Sequence, residues 1–154
     1  MTGAARDPRG FGIFLLCFAT ALFAGCADVT TRSDPKVDLT RFRRFYVERR
    51  LGDDHRIDEL IVHQLRLLGR EASSGPLTMK PEGIDGIVTY TDRWEWDFKT
   101  YLIELNVTVR NARTDKPVSF ARYYQPSLKT KPPAEMIREI LAPLFPADSA
   151  QDRK

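Results

Sequence analysis

What the chain is short of narrows its chemistry before any motif is read. No Gly-x-Ser-x-Gly elbow stands ready for a hydrolase nucleophile, and no glycine-rich loop is placed to cradle a phosphate. Charge of one sign is also scarce: a net +3 is too mild to mark a nucleic-acid surface. No internal repeat is found. The longest apolar run, Phe11 to Phe23, falls short of the roughly 20 residues that a permanent bilayer-spanning helix needs. Cysteine is limited to Cys17 and Cys26. What is present, 42% hydrophobic and 29% charged residues, is the composition of one ordinary globular domain.

The N-terminus carries the clearest signal. Arg6 and Arg9 precede the apolar run, and small residues close it, which is the anatomy of an export signal over residues 1–25. Phe23-Ala24-Gly25-Cys26 resembles the bacterial lipobox, with Phe23 where that pattern usually has leucine. The resemblance implies that Cys26 becomes the new amino terminus, carrying diacylglycerol and an acyl chain such as palmitate; no other cofactor is expected. Cys17 leaves with the signal, so no internal disulfide can form and stability must come from packing. Ala27, not aspartate, follows the cysteine, and under the enteric sorting rule this places the protein at the outer membrane, facing the periplasm. Residues 26–36 are polar and aperiodic and read as the lipidated cysteine with a flexible tether. Residues 37–146 read as the single domain, and 147–154, "ADSAQDRK", as a disordered tail.

Within the domain, "RFRRFYVERRL" alternates, with Phe45, Val47 and Leu51 on the inner face of a strand. Asp53 or Asp54 can cap a helix in which Ile57, Leu60, Ile61, Leu65 and Leu68 recur at helical spacing until Gly69. A loop rich in Gly, Pro and Ser follows over Ser73 to Gly83. Ile87 to Trp96 and Tyr101 to Val109 read as a long hairpin, and Val118 to Tyr124 as a further strand. Pro132 and Pro133 open a last helix with an apolar stripe of Met136, Ile137, Ile140, Leu141 and Leu144, which Pro143 should end. This pattern predicts an α+β fold of order β-α-β-β-β-α, a mostly antiparallel four-stranded sheet with two helices on one face.

Several of these segments resemble a family of small bacterial outer-membrane lipoproteins that carry a domain of unknown function. They are "DLTRFRRFYV" for the opening strand, "LRLLGRE" for the helix end, "DGIVTY", "NVTVRNARTDKPVSF" and the closing "IREILAPLFP". A more distant similarity runs to lipopolysaccharide-assembly and transport-auxiliary lipoproteins. The resemblance implies an envelope protein with no established catalytic residues.

The stretch "TDRWEWDF" puts carboxylates and tryptophans together as sugar-cleaving sites do. Alternation, however, sends Asp92, Trp94, Trp96 and Phe98 to one side of the strand and Arg93, Glu95 and Asp97 to the other, so the aromatic platform and an acid pair do not converge. Trp94 and Trp96 read as packing residues, with an exposed recognition surface as the minority reading. His55, Glu59 and His63 share one side of the first helix but lie beside Arg66 on its solvated face, so no metal site is expected. Arg43 and Arg44 read as the wet face of a strand or as a contact for anionic lipid or lipopolysaccharide. The expected function is a non-catalytic, membrane-anchored interaction module with an envelope protein partner and no nucleic-acid partner. A lipid-handling accessory is the alternative, and a glycan-active enzyme ranks third.

Overall fold

A computed structural model describes residues 27–126 and 131–146. Six strands form one mixed sheet: β1 (Asp28–Ser33), β2 (Arg44–Glu48), β3 (Glu71–Gly75), β4 (Gly86–Asp97), β5 (Lys99–Asn111) and β6 (Pro117–Tyr124). Two α-helices, α1 (Ile57–Leu67) and α2 (Pro133–Leu141), accompany them. Across the sheet the order is β1-β6-β5-β4-β2-β3. The pairs from β1 through β4 are antiparallel, whereas β2 is parallel to both β3 and β4.

The four-stranded, mostly antiparallel sheet expected from the sequence is therefore corrected to six strands in a mixed sheet, in the chain order β-β-α-β-β-β-β-α. Both additional strands have physical reasons to be hidden. "DVTTRS" has no apolar alternation, which predicts a tether, yet it forms the edge strand β1, exposed along most of its length. "EASSG" falls at the start of the Ser- and Gly-rich stretch and forms the opposite edge, β3. A strand with only one neighbour and little to bury shows no hydrophobic period.

Helix α1 begins where Asp53 folds back: its carboxylate accepts from the backbone N–H of His55 (3.1 Å) and of Asp58 (3.3 Å). Its end is set by Gly69 at φ +75°, with the Gly69 N–H donating to the Arg66 carbonyl and the Arg70 N–H to the Leu65 carbonyl. That pair of bonds is a Schellman close, which glycine enters without strain. Helix α2 starts with Pro133 in its first turn and is followed by Pro143 two residues past its end.

The helices pack side by side over the sheet. Ile57, Ile61 and Leu65 of α1 meet Met136, Ile137, Ile140 and Leu141 of α2 in one buried cluster with Phe45, Val47, Val88, Leu105, Val107 and Tyr123. Phe145 closes it, its ring edge-on to Phe45 at 5.0 Å between centroids. Gly86 leaves room for Phe45, whose ring lies 2.7 Å from where a β-carbon at that position would stand. Leu51, expected on the inner face, is instead 101% exposed, because β2 ends at Glu48 and the chain turns away.

Ile140→Ala should cost about 2–5 kcal/mol by urea unfolding, and Leu51→Ala should leave the midpoint in place. Gly86→Val should destabilise by about 1–3 kcal/mol, because the Phe45 ring has to move.

Candidate recognition surface

Two ends of the sheet hold the residues that the sequence singled out. At one end the β4–β5 hairpin runs past the helices. Trp94 lies at the boundary: its indole Nε1 donates to Asp92 Oδ2 at 2.5 Å, and the His55 ring stacks on it with centroids 3.7 Å apart. Arg50 pairs with the other oxygen of Asp92. One turn of the pleat inward, the Tyr90 hydroxyl donates to Asp53 at 2.5 Å. Burial pushes the Asp53 pKa up, but the hydrogen bonds from Tyr90, Asp58 and His55 outweigh it and hold the carboxyl below its ordinary value. Burial and the neighbouring Asp53 carboxylate raise the Tyr90 hydroxyl well above the usual phenol range. These acids hold the loop before α1 against the sheet.

Beyond Trp94 the surroundings change. A bulge falls there, Arg93 facing Glu104 while Trp94 faces Leu102. Trp96 is 74% exposed and Phe98, at the hairpin tip, 95%, their rings 6.5 Å apart. Phe98 adopts φ +58°, a left-handed conformation that costs a bulky side chain free energy and that glycine would take freely. Glu95 and Asp97 are both exposed. The two tryptophans, equivalent by alternation, thus divide between a packed residue and a solvent-facing one.

At the other end, where β4 starts, Asp85 Oδ2 accepts the backbone N–H of both Arg43 and Arg44 at 2.9 Å each. Burial raises the Asp85 pKa, yet these two bonds and the Arg44 and Arg113 charges bring it below its usual value. The Arg44 guanidinium lies over Gly83, 2.8 Å from where a β-carbon would stand. A cleft of about 360 Å³ opens here between Lys36, Arg41, Asp85, Asn111 and Arg113. A neighbouring one of about 340 Å³ is lined by Arg44, Lys80, Glu82 and Arg113. Arginines read from the sequence as the wet face of a strand therefore sit at a basic, acid-pinned end of the sheet.

The remaining candidates do not come together. His55 precedes α1 and is engaged with Trp94, whereas Glu59 and His63 line a separate cleft with Arg49 and Arg66. Among the described residues no group of three or more His, Cys, Asp or Glu is placed to hold a metal ion. Cys26, the expected lipidation site, lies outside the described residues, as do residues 1–25, expected to be an export signal, and residues 147–154. Sequence reasoning missed the pairing of Asp58, 2% exposed at its side chain, with Arg49 Nε at 2.8 Å. It also missed Glu104, held between Arg122 at 2.8 Å and Arg93 at 3.3 Å. The Arg122 hydrogen bond leads in lowering the Glu104 pKa. These contacts join residues distant in the chain, which no local period records.

Trp94→Ala should lower the melting temperature by several degrees, as expected for about 1–3 kcal/mol in a domain of this size, while Trp96→Ala should not. Asp53, Asp85 and Glu104 titrate lower when folded than when unfolded, where the values are about 3.9–4.3. Their stabilisation is thus complete above those unfolded values and is lost as pH falls through the folded ones, so thermal melts should hold steady near neutrality and decline below about pH 4. In Asp85→Ala that acid decline should be shallower and the neutral melting temperature lower.

No family model matches the chain, and no curated protein does. Among solved structures, the PelC dodecamer from Paraburkholderia phytofirmans is similar at 12% identity, covering 78% of this chain and 99% of that one with a TM-score of 0.59. A PDZ domain protein from Parabacteroides distasonis is 10% identical over 90% of this chain and 40% of its own, at a TM-score of 0.48. A minor lipoprotein from Acinetobacter baumannii is 17% identical over 68% and 85%, at a TM-score of 0.31. With PelC the chain shares a fold.

Proposed function

We propose that this protein is a non-catalytic, membrane-anchored lipoprotein that works as an interaction module at the periplasmic face of the outer membrane, docking an envelope protein. One observation carries the non-catalytic reading: Asp53, Asp58, Asp85, Asp92 and Glu104 are each committed to a structural partner, a phenol, a guanidinium, an indole or a pair of backbone N–H groups. General acid–base work needs a carboxyl free to exchange a proton with substrate. The anchor reading rests on the lipobox-like Phe23-Ala24-Gly25-Cys26, with the described fold beginning immediately beyond it at β1. A cysteine so placed would hold the domain directly against the membrane rather than on a tether.

The alternative is a lipid- or lipopolysaccharide-handling accessory. The basic clefts at Lys36, Arg41, Arg44 and Arg113 favour anionic headgroups. Against an acyl-chain carrier stands the layer between helices and sheet, where Ile57, Ile61, Leu65, Ile137, Ile140 and Phe145 are all fully buried.

Cys26→Ser should abolish labelling with radioactive palmitate and release the protein from carbonate-washed membranes. Retention on those membranes with unchanged migration would sink the anchor. Crosslinking of the anchored protein should then capture an envelope protein, and capture should fail when Arg44 and Arg113 are both changed to Glu.

A further inference from the structure

The exposed aromatic tip and the point where the folded chain begins lie at the same end of the sheet. β6 runs antiparallel to β5 and ends at Tyr124, opposite Glu104; β1 runs antiparallel to β6, and its first residue, Asp28, faces Tyr124. Glu104 in turn faces Arg93 of β4, from which the hairpin continues through Trp96 to Phe98. The chain therefore enters β1 on the tip side, and the basic clefts around Asp85 and Asn111 lie at the other end. The five steps from Arg93 to Phe98 extend about 16 Å at strand rise, and the two from Asp28 back to Cys26 can reach at most about 7 Å. The tip projects about 10 Å further than the cysteine can. That difference matches the depth of about 5–10 Å to which interfacial side chains settle at the boundary of headgroups and acyl chains.

We infer that Trp96 and Phe98 seat in the interfacial layer of a phospholipid bilayer, so that the domain stands end-on with its sheet along the membrane normal and its basic clefts facing away. The inference deepens the lipoprotein reading and rests on it for the position of Cys26. Water is a poor solvent for two large aromatic side chains exposed this far, and an indole with one N–H prefers the polar boundary of a membrane to either bulk phase. Phe98 holds its ring out despite the left-handed backbone, where glycine would sit without strain. The charges around the tip, Arg93 and Lys99 against Glu95 and Asp97, cancel. The attraction is therefore hydrophobic and does not depend on anionic lipid, in contrast to docking by a polybasic patch.

The chain has two tryptophans, so Trp94→Phe leaves Trp96 as the sole tryptophan, which is excited selectively at the red edge where tyrosine does not absorb. The acylated protein in this background is reconstituted into phosphatidylcholine–phosphatidylethanolamine vesicles containing lipid brominated near the headgroup end of its acyl chains. More than about half of the Trp96 emission should be quenched, at the shallow depth expected of an interfacial indole. Aqueous iodide should have little access, and neither result should change when phosphatidylglycerol or salt is added. Phe98→Ser should leave the melting temperature unchanged and cut the lipid quenching several-fold. Emission open to iodide and untouched by brominated lipid in the anchored protein would overturn the inference. So would shielding that disappears when protein is diluted at constant lipid, since that assigns the tip to a second copy. Palmitate labelling reports separately on Cys26. If it is negative, a histidine tag placed ahead of Ala27 on nickel-chelating vesicles still holds the tip-side end of the chain at a bilayer, and the same quenching reads the tip alone.

Discussion

The fold depends on burying β2 on both faces while it runs parallel to both of its neighbours. Phe45 and Val47 go into the helical layer, and Tyr46, on the other side, is buried as well. Parallel neighbours cannot be joined by tight turns. Helix α1 makes the first crossover, from β2 to β3, and covers Phe45 and Val47 in doing so. The second, residues 76–85, must return the chain from the end of β3 to the start of β4, passing β2 on the way. Tyr46 meets that segment, its hydroxyl donating to the Pro76 carbonyl at 2.8 Å. Asp85 finishes the return by taking the N–H groups of Arg43 and Arg44, which fixes where β4 starts against β2. The long antiparallel hairpin and β6 extend the sheet from that point.

This constraint explains what could and could not be read from the chain. Both helices were legible because each has a 3.6-residue apolar stripe and conformational stops, Gly69 in one case and Pro133 with Pro143 in the other. β4, β5 and β6 were legible because one face is buried and the other wet. β2 was located, but its second buried face was not: a strand buried on both sides shows a continuous run, "FYV", and alternation carried past Glu48, where β2 ends, put Leu51 inward by mistake. The edges β1 and β3 bury too little to leave a period.

For the candidate surface, alternation separated the tryptophans from Glu95 and Asp97. It could not separate Trp94 from Trp96, because both sit on the same side of the strand. What divides them is where the loop before α1 ends: His55 reaches Trp94, and nothing described covers Trp96 to the same degree. The acids were harder still. Asp58, Asp85, Asp92 and Glu104 acquire their roles from partners on other elements, and only the folded chain shows that they are fasteners.

The position of β1 also has a mechanical meaning. It is joined to the sheet through β6 alone, supported by the Ser33–Ser119 hydroxyl contact at 3.1 Å and by α2, and the chain leaves it along the strand axis at Asp28. Ladder hydrogen bonds lie across that axis. A pull applied at Ala27 along the strand therefore loads the six registered pairs of β1 and β6 together, in shear, rather than peeling them one after another. The strand with the least to bury is thus oriented to resist tension at the amino-terminal end of the fold.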